Sequence, residues 1–240
     1  MPSVLYRQAK NRRHRRSRRK IQQTLREKIM TAPLAYRFGG AFFCELPFYV
    51  NKHVLIPRFD TEVLVETVIQ NCKIKSKILD MCTGSGCIAT VLALHDLFVT
   101  ASDVSRSALR VARKNAKLHD VKTEFVKSDL FSGLARRKFD AVVCNPPYVK
   151  TGEIGKWDKN ILHEPRIAFD GGPDGLDFYR KIIGQVSEYL TNNGQIFFEI
   201  DREQGKAVEN LLRERNFCDI KIVKDKQGLS RVVHARKRIL

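Results

Sequence analysis

Two patterns of apolar residues alternate along the chain from Pro57 onward. Short runs rich in Val, Ile, Leu and Phe predict buried strands, whereas longer segments with apolar residues at every third or fourth position predict helices. Asp60 or Thr61 is expected to cap the first of these helices. The predicted strands are 77–81, 98–102, 123–127, 141–144, 195–200, 220–223 and 232–235, and the predicted helices are 61–72, 88–94, 105–118, 178–190 and 203–215. This alternation predicts an α/β fold with a doubly wound, mostly parallel seven-stranded sheet.

The segments outside this repeat have other patterns. Residues 149–177 contain five of the fourteen glycines and predict a long irregular loop. Residues 32–50 are rich in aromatic side chains, and the pair Gly39-Gly40 between apolar flanks predicts a hairpin that turns there. Apolar residues recur every four positions within 21–29, which predicts a short helix. We therefore divide the chain into a basic arm with a short helix (1–31), a connecting hairpin (32–56) and a main domain (57–240).

The net charge of +18 comes from 44 Lys and Arg residues against 26 Asp and Glu residues. Residues 1–30 hold eleven basic residues and one acidic residue, which is more than half of the excess. Such a charge indicates an acidic partner, usually nucleic acid. The segment Arg12–Lys20 is open to three interpretations: a solubilising tail, an organellar transit peptide, or a contact with RNA or the ribosome.

The six cysteines form no C-x-x-C pair and no spacing with histidine that suggests a zinc site, so no metal is expected. Reduced thiols of this kind are typical of a cytoplasmic protein. No apolar run approaches the roughly 20 residues that a membrane-spanning helix needs, so no membrane partner is expected.

Three loops at the carboxyl ends of predicted strands are expected to carry the chemistry. In the first loop, two glycines allow close backbone approach to a ligand, and the following helix offers free N–H groups. The loop consists of Asp80, Met81, Cys82, Thr83, Gly84, Ser85 and Gly86. Asp103 follows the next strand, where a carboxylate can accept both ribose hydroxyls or cap a helix. Outside these three loops, Asp129 and Leu130 follow the third strand and could meet a base, although Asp129 could also simply form a turn.

The third loop, Asn145-Pro146-Pro147-Tyr148, is the most specific feature of the sequence. The prolines lack N–H groups and have a fixed φ, so the loop is stiff and its carbonyls are free to accept hydrogen bonds. The side-chain oxygen of Asn145 adds a second acceptor, and two acceptors suit the two hydrogens of an –NH2 group. The Tyr148 ring can pack on a planar group.

This tetrad together with the glycine loop resembles class I S-adenosylmethionine-dependent methyltransferases, which have a Rossmann-like fold and modify planar –NH2 nitrogens. Three further blocks narrow the resemblance. Residues 54–62, with Ile56-Pro57-Arg58, residues 163–176, with Glu164-Pro165-Arg166, and the closing residues 224–233 are similar to the release-factor glutamine N5-methyltransferases, the PrmC/HemK family. The resemblance covers about residues 33 to 237.

The resemblance implies a role for each loop. The loop Asp80–Gly86 would wrap the methionine part of S-adenosylmethionine, Asp103 would hold its ribose, and Asp129 with Leu130 would hold its adenine. Asn145 would contact both the cofactor and the substrate. The Asn145 side chain and the Pro146 carbonyl would bind a glutamine amide. Pro147 and Tyr148 complete this tetrad, and Tyr148 would pack against the amide. The implied reaction is methylation of the glutamine amide nitrogen in the Gly-Gly-Gln motif of peptide-chain release factors, which makes a release factor the expected partner.

The sequence departs from the family pattern at several positions. Cys82 stands where a glycine is usual, Phe59 replaces a proline, and Asp201 replaces a glycine. The usual N-terminal helical domain is matched only by the arm and the short helix. Three alternatives therefore stay open: a glutamine methyltransferase of a large-subunit ribosomal protein, an adenine amino-methyltransferase acting on nucleic acid, and a non-catalytic protein that binds the ribosome or RNA.

Overall fold

The computed structural model describes residues 32–156 and 159–238, so the helix expected within 21–29 and the basic segment Arg12–Lys20 lie outside the described residues. The strands are β1 (Gly40–Phe43), β2 (Leu46–Tyr49), β3 (Lys77–Met81), β4 (Phe98–Asp103), β5 (Thr123–Lys127), β6 (Phe139–Cys144), β7 (Leu190–Glu199), β8 (Phe217–Lys224) and β9 (Ser230–Lys237). The helices are α1 (Leu34–Phe38), α2 (Glu62–Asn71), α3 (Cys87–Leu94), α4 (Arg106–Leu118), α5 (Asp177–Gln185) and α6 (Gly205–Glu214). Short 3-10 turns cover Phe59–Thr61, Thr151–Glu153, Lys159–His163, Arg166–Ala168 and Val186–Glu188.

Seven strands form one sheet in the order β5-β4-β3-β6-β7-β9-β8. The strands from β5 to β7 are parallel, and β9 runs antiparallel to both β7 and β8. The chain winds outward from β3 in one direction and from β6 in the other, so the switch point lies between these two neighbours. The predicted α/β fold with a doubly wound, mostly parallel seven-stranded sheet is confirmed.

Both faces of this sheet are buried, because successive side chains of a strand point to opposite faces. Leu79 and Val142 belong to a core cluster with α5 and α6, while Ile78 and Val143 belong to a second cluster with α2 and α3. All four side chains are fully buried. The central strands are therefore fixed from two sides, and the loops at their carboxyl ends project from a rigid layer.

The N-terminal hairpin differs from its prediction in the position of the turn. Strand β1 pairs with β2, and the two-residue turn consists of Cys44 and Glu45, both with positive φ. Gly39 instead ends helix α1, with a left-handed φ of 69°. The prediction of a turn at Gly39-Gly40 was therefore wrong, because a glycine between apolar segments can end a helix as readily as it forms a hairpin.

Several predicted bounds also shift. Strand β7 begins at Leu190 rather than at 195, and its register to β6 is irregular between Phe139 and Ala141. Helix α5 ends at Gln185 and continues as a 3-10 turn. Across the described residues, no helix combines the length and apolarity that a membrane crossing requires.

Candidate active site

The glycine loop after β3 is a closed turn held by its own polar groups. The Thr83 hydroxyl donates to the carboxylate of Asp80, the Thr83 N–H donates to the carbonyl of Ser102 on β4 (3.0 Å), and the Gly86 N–H donates to the Thr83 carbonyl (2.8 Å). Burial raises the pKa of Asp80 to about 7. Asp80 thus lies beneath the loop and supports it from below.

The backbone of this loop requires left-handed conformations at three positions. Gly84 and Gly86 have φ of 55° and 77°, and Cys82 has φ of 59°. A Cβ on Gly86 would lie 2.8 Å from the Cβ of Ala112, so this glycine lets α3 approach α4 closely. Cys82, the departure noted in the sequence, therefore occupies a conformation that glycine adopts more easily.

Asp103 connects the first loop to the second. Its Oδ2 accepts the Gly84 N–H (2.9 Å) and its Oδ1 accepts the Ser105 N–H (2.8 Å). Burial raises the pKa of Asp103, although both hydrogen bonds favour its ionised form. Ser105, whose hydroxyl accepts the Ala108 N–H (3.2 Å), caps helix α4. The alternative interpretation of Asp103 as the cap of this helix was therefore wrong.

The loop after β5 is a tight turn stabilised by Ser128. The Ser128 hydroxyl donates to the Leu130 carbonyl (2.6 Å) and accepts the Gly133 N–H (2.8 Å). Leu130 has a left-handed φ of 49°, and the side chain of Asp129 is exposed.

These loops surround a cavity of about 290 Å³ at the carboxyl ends of the strands. The predicted site residues that line it are Cys82, Thr83, Gly84, Ser85, Asp103, Asp129, Leu130, Asn145 and Pro147. Asp80, Gly86 and Pro146 lie behind this lining: Asp80 and Pro146 are buried, and Gly86 is the N-cap residue of α3. Tyr148 lines a second, larger cavity of about 950 Å³ next to the first. The two cavities share Leu55, Arg58, Asn145 and Ala168, so Asn145 lies where they meet.

Asn145 and Tyr148 are held by two residues that the sequence analysis did not place in the site. Asn145 Nδ2 donates to the hydroxyl of Thr61 (3.3 Å), and the Tyr148 hydroxyl donates to Oε1 of Glu199 (3.2 Å). Thr61 stands at the N-cap position of α2, as one of the two predicted caps, but its side chain makes no capping hydrogen bond to the helix. Glu199 lies in the apolar run Ile196–Ile200, and an acidic residue at the end of such a run was the available signal.

Glu199 is the most deeply buried acidic side chain of the second cavity, with 2% exposure. Burial raises the pKa of Glu199 to about 7, and the neighbouring hydroxyls of Thr61 and Tyr148 oppose that rise. The pKa of Tyr148 is raised well above its ordinary range by burial and by the neighbouring carboxylate.

Two of the family-like blocks meet beside these cavities. The carboxylate of Glu164 forms an ion pair with Arg58 (2.5 Å) and accepts the Ile56 N–H (2.9 Å). Phe59, which stands at the position of the usual proline, is 78% exposed and lines the second cavity. Asp201 lines the same cavity.

Comparison with known proteins assigns the family. Residues 58–230 match the family model of the methyltransferase small domain. A release factor glutamine methyltransferase of Thermodesulfovibrio yellowstonii is 40% identical over 225 residues, which cover 90% of this chain and 81% of that protein. One from Flavobacterium psychrophilum is 44% identical over 216 residues, covering 86% and 76%. A solved 16S rRNA methyltransferase of T. thermophilus, in complex with AdoMet and guanosine, has a TM-score of 0.63 at 18% identity and shares the fold; the match covers 83% of this chain and 50% of that one.

The predictions of a methyltransferase, and of S-adenosylmethionine as its methyl donor, are confirmed by this membership. The sequence identity of about 40% extends over most of this chain and of each relative, so it is not confined to the glycine loop and the tetrad. The chain belongs to the family of release factor glutamine methyltransferases.

Proposed function

We propose that this protein transfers the methyl group of S-adenosylmethionine to the side-chain amide nitrogen of the glutamine in the Gly-Gly-Gln motif of a peptide-chain release factor. One observation carries the proposal: Asn145 lies at the junction of a cavity lined by the glycine loop and a larger, open cavity. Its Oδ1 has no hydrogen-bond partner among the described residues and is not buried. A free acceptor between two cavities suits a reaction that brings two substrates together.

The residues of the first cavity fit S-adenosylmethionine. Ser102 lines this cavity, and its buried hydroxyl has no hydrogen-bond partner within the described chain. The space beside Gly84 is nearly empty, because a Cβ added there would have only one atom within 4 Å. The loop Asp80–Gly86 would lie against the methionine part. Each carboxylate oxygen of Asp103 accepts one hydrogen bond from a backbone N–H and has a further lone pair that could accept a ribose hydroxyl. Asp129 and Leu130 would hold the adenine, and the bound cofactor supplies an electrophilic methyl group.

The tetrad would orient the substrate amide. An amide nitrogen is a weak nucleophile because its lone pair is delocalised into the carbonyl. Two acceptors, the Asn145 side-chain oxygen and the Pro146 carbonyl, would bind its two hydrogens, return electron density to the nitrogen and aim it at the methyl group. Pro147 stiffens the loop, and Tyr148 would pack against the amide. These residues act by positioning and electrostatics.

We propose that the chain consists of a basic arm with a short helix (1–31), a connecting hairpin (32–56) and a methyltransferase domain (57–240), and that it is cytoplasmic. We propose that Arg12–Lys20 contacts ribosomal RNA through non-specific ion pairs, which recruits the enzyme to its substrate. Binding to ribosomes should then weaken steeply with added salt and disappear when residues 1–20 are deleted. Binding that neither treatment changes would refute this recruitment.

The proposed reaction is tested by offering labelled S-adenosylmethionine together with release factor, ribosomal subunits or DNA in parallel reactions. We expect label only in the release factor, on the glutamine of its Gly-Gly-Gln motif when peptides are mapped by mass spectrometry. Label in a ribosomal protein or in DNA would contradict the proposed substrate. Absence of S-adenosylmethionine binding by calorimetry would exclude the enzymatic function altogether.

A further inference from the structure

The proposed role of Asn145 depends on which end of its side-chain amide faces the substrate. A half-turn about the last side-chain bond exchanges Oδ1 and Nδ2, which are similar in size but opposite in hydrogen bonding. With Nδ2 toward the substrate, two –NH2 groups would face each other and no hydrogen bond could form. The surroundings of Asn145 must therefore select one orientation.

Thr61 alone cannot make that selection. Asn145 Nδ2 lies 3.3 Å from the Thr61 hydroxyl oxygen, and Thr61 is 3% exposed. A hydroxyl has one proton and two lone pairs, so it can accept from Nδ2 or donate to Oδ1 equally well. The orientation of Asn145 thus depends on where the Thr61 proton points.

Glu199 can accept a hydrogen bond from the Thr61 hydroxyl. Oε1 of Glu199 already accepts from the Tyr148 hydroxyl, whereas its buried Oε2 has no hydrogen-bond partner within the described chain. An unpartnered buried acceptor calls for a donor, and the buried Thr61 hydroxyl, which is bonded to Asn145 and lowers the pKa of this carboxylate, is the one we assign to it. An ionised carboxylate can only accept hydrogen bonds. If the Thr61 hydroxyl donates its proton to this carboxylate, its oxygen can only accept from Asn145, which requires Nδ2 to face Thr61.

We propose that Glu199 is a positioning residue for methyl transfer, whose carboxylate acts through the Thr61 hydroxyl to hold Asn145 with Oδ1 facing the substrate. The inference rests on the proposed function, because it assigns an orientation to the residue that would bind the glutamine amide. Glu199 itself need not touch the substrate.

The charge state of Glu199 decides whether this arrangement holds. Its pKa is near 7, so at higher pH the carboxylate only accepts, whereas at lower pH it carries a proton and can donate. Asp60 raises this pKa and Arg231 lowers it. The other ionisable groups around the Glu199–Tyr148 pair are Asp201, Tyr179 and Cys144. The orientation of Asn145 should therefore change with pH near neutrality.

The first test measures methyl transfer by Glu199→Gln and Thr61→Val in the full chain. We expect kcat to fall about 100-fold in each, as for a misplaced reacting group, with KM for the release factor and the Kd of S-adenosylmethionine nearly unchanged. Thr61→Ser keeps the hydroxyl and should recover most of the loss. The double variant should be no slower than the slower single variant, because both act through one chain of hydrogen bonds.

A matched control separates this effect from general damage to α2. Thr67 lies in the same helix, and its buried hydroxyl donates to the Val63 carbonyl (2.7 Å) away from both cavities. Thr67→Val should retain wild-type kcat. Near-normal turnover of Glu199→Gln, or losses that multiply in the double variant, would overturn the positioning role.

The second test does not depend on activity. The side-chain amide signals of Asn145 are identified by NMR from their loss in Asn145→Asp and followed against pH without substrate. We expect a titration with a midpoint near pH 7 that disappears in Glu199→Gln and in Thr61→Val. Signals that do not titrate, or that still titrate in Glu199→Gln, would overturn the inference. An enzyme without activity on release factors would refute the proposed function alone, since this titration still decides the orientation.

Discussion

Asn115 and Tyr49 exchange two hydrogen bonds although 66 residues separate them. The Tyr49 N–H donates to Oδ1 of Asn115 (2.8 Å), and Nδ2 of Asn115 donates to the Tyr49 carbonyl (2.9 Å) and also to the carbonyl of Ser85 (2.8 Å). One fully buried side chain on α4 therefore ties the hairpin to the glycine loop. The hairpin is thereby part of the support of the cofactor cavity.

Replacing Asn115 by Ala should lower the free energy of unfolding by about 3 kcal/mol, because backbone groups of Tyr49 and of the buried Ser85 would lose their partners. Chemical denaturation measures this change. Asn210→Ala on the exposed face of α6 is the control and should stay within about 0.5 kcal/mol of wild type. Equal stability of the two variants would show that Asn115 does not anchor the hairpin.

Gly86→Ala should destabilise the protein by about 1–3 kcal/mol and weaken S-adenosylmethionine binding, because the added Cβ would meet Ala112 at 2.8 Å. Gly184→Ala is a matched control: it lies in α5 with no atom within 4 Å of the added Cβ. This control should stabilise the protein by about 0.5–1 kcal/mol through helix propensity. Thermal unfolding and calorimetry distinguish the two, and a harmless Gly86→Ala would disprove the proposed close approach of α3 and α4.

Asn145→Ala should reduce kcat for methylation of the release factor by about 100-fold or more, because a preorganised acceptor is removed from the reacting group. The Kd of S-adenosylmethionine should change far less, since most of its cavity lining remains. Labelled-methyl transfer and calorimetry provide the two values. Turnover close to wild type would rule out the role assigned to Asn145.

Asp103→Ala should weaken S-adenosylmethionine binding by about 10- to 100-fold, because the net loss of one charge-assisted hydrogen bond amounts to roughly 1.5–3 kcal/mol. Part of this loss would come from the released Gly84 N–H, so Asp103→Asn should bind with an intermediate affinity. Asp129→Ala, at an exposed side chain, should have a smaller effect. Calorimetric titration gives this order, and a reversed order would contradict the ribose assignment of Asp103.

The buried carboxyl of Asp80 should make stability depend on pH. Its pKa in the folded protein is about 7, above the ordinary value of about 4 in the unfolded chain. The folded state therefore binds the proton more tightly, and the free energy of unfolding should fall as the pH rises from about 4 to about 7. Asp80→Asn should flatten this slope, while Asp96→Asn at an exposed position should leave it unchanged. Glu199 and Asp103, whose pKa values are also raised by burial, contribute slopes of the same sign, so a remainder is expected.

The sequence predicted the sheet accurately where apolar runs are short and clearly bounded. The bounds of β3 and β5 coincide with their predictions, since each run is enclosed by polar residues or turn signals. Gly39 was ambiguous because left-handed glycines end helices and also form turns. Only the pairing of Phe43 with Leu46 fixes the turn at Cys44 and Glu45, and that pairing is not visible in local composition.

The site was predicted from loops, and its supporting residues were missed. Gly84 and Asn145 follow the ends of β3 and β6, and Asp103 ends β4, so parallel topology alone brings them together. Thr61 and Glu199 were not predictable in this way, because one precedes a helix and the other ends a strand that is distant in sequence. Their meeting depends on how the segment before α2 crosses the end of β7, and that is a property of the tertiary packing.

The ion pair between Arg58 and Glu164 has a consequence for how the two substrates can be separated by mutation. Arg58 belongs to the wall of both cavities, and its partner carboxylate is almost fully buried, with 2% exposure. A change in either residue therefore alters the shape of both cavities together. Cofactor affinity and protein-substrate affinity cannot be tuned independently here, so engineering of substrate choice should begin at positions such as Phe59 that border only the larger cavity.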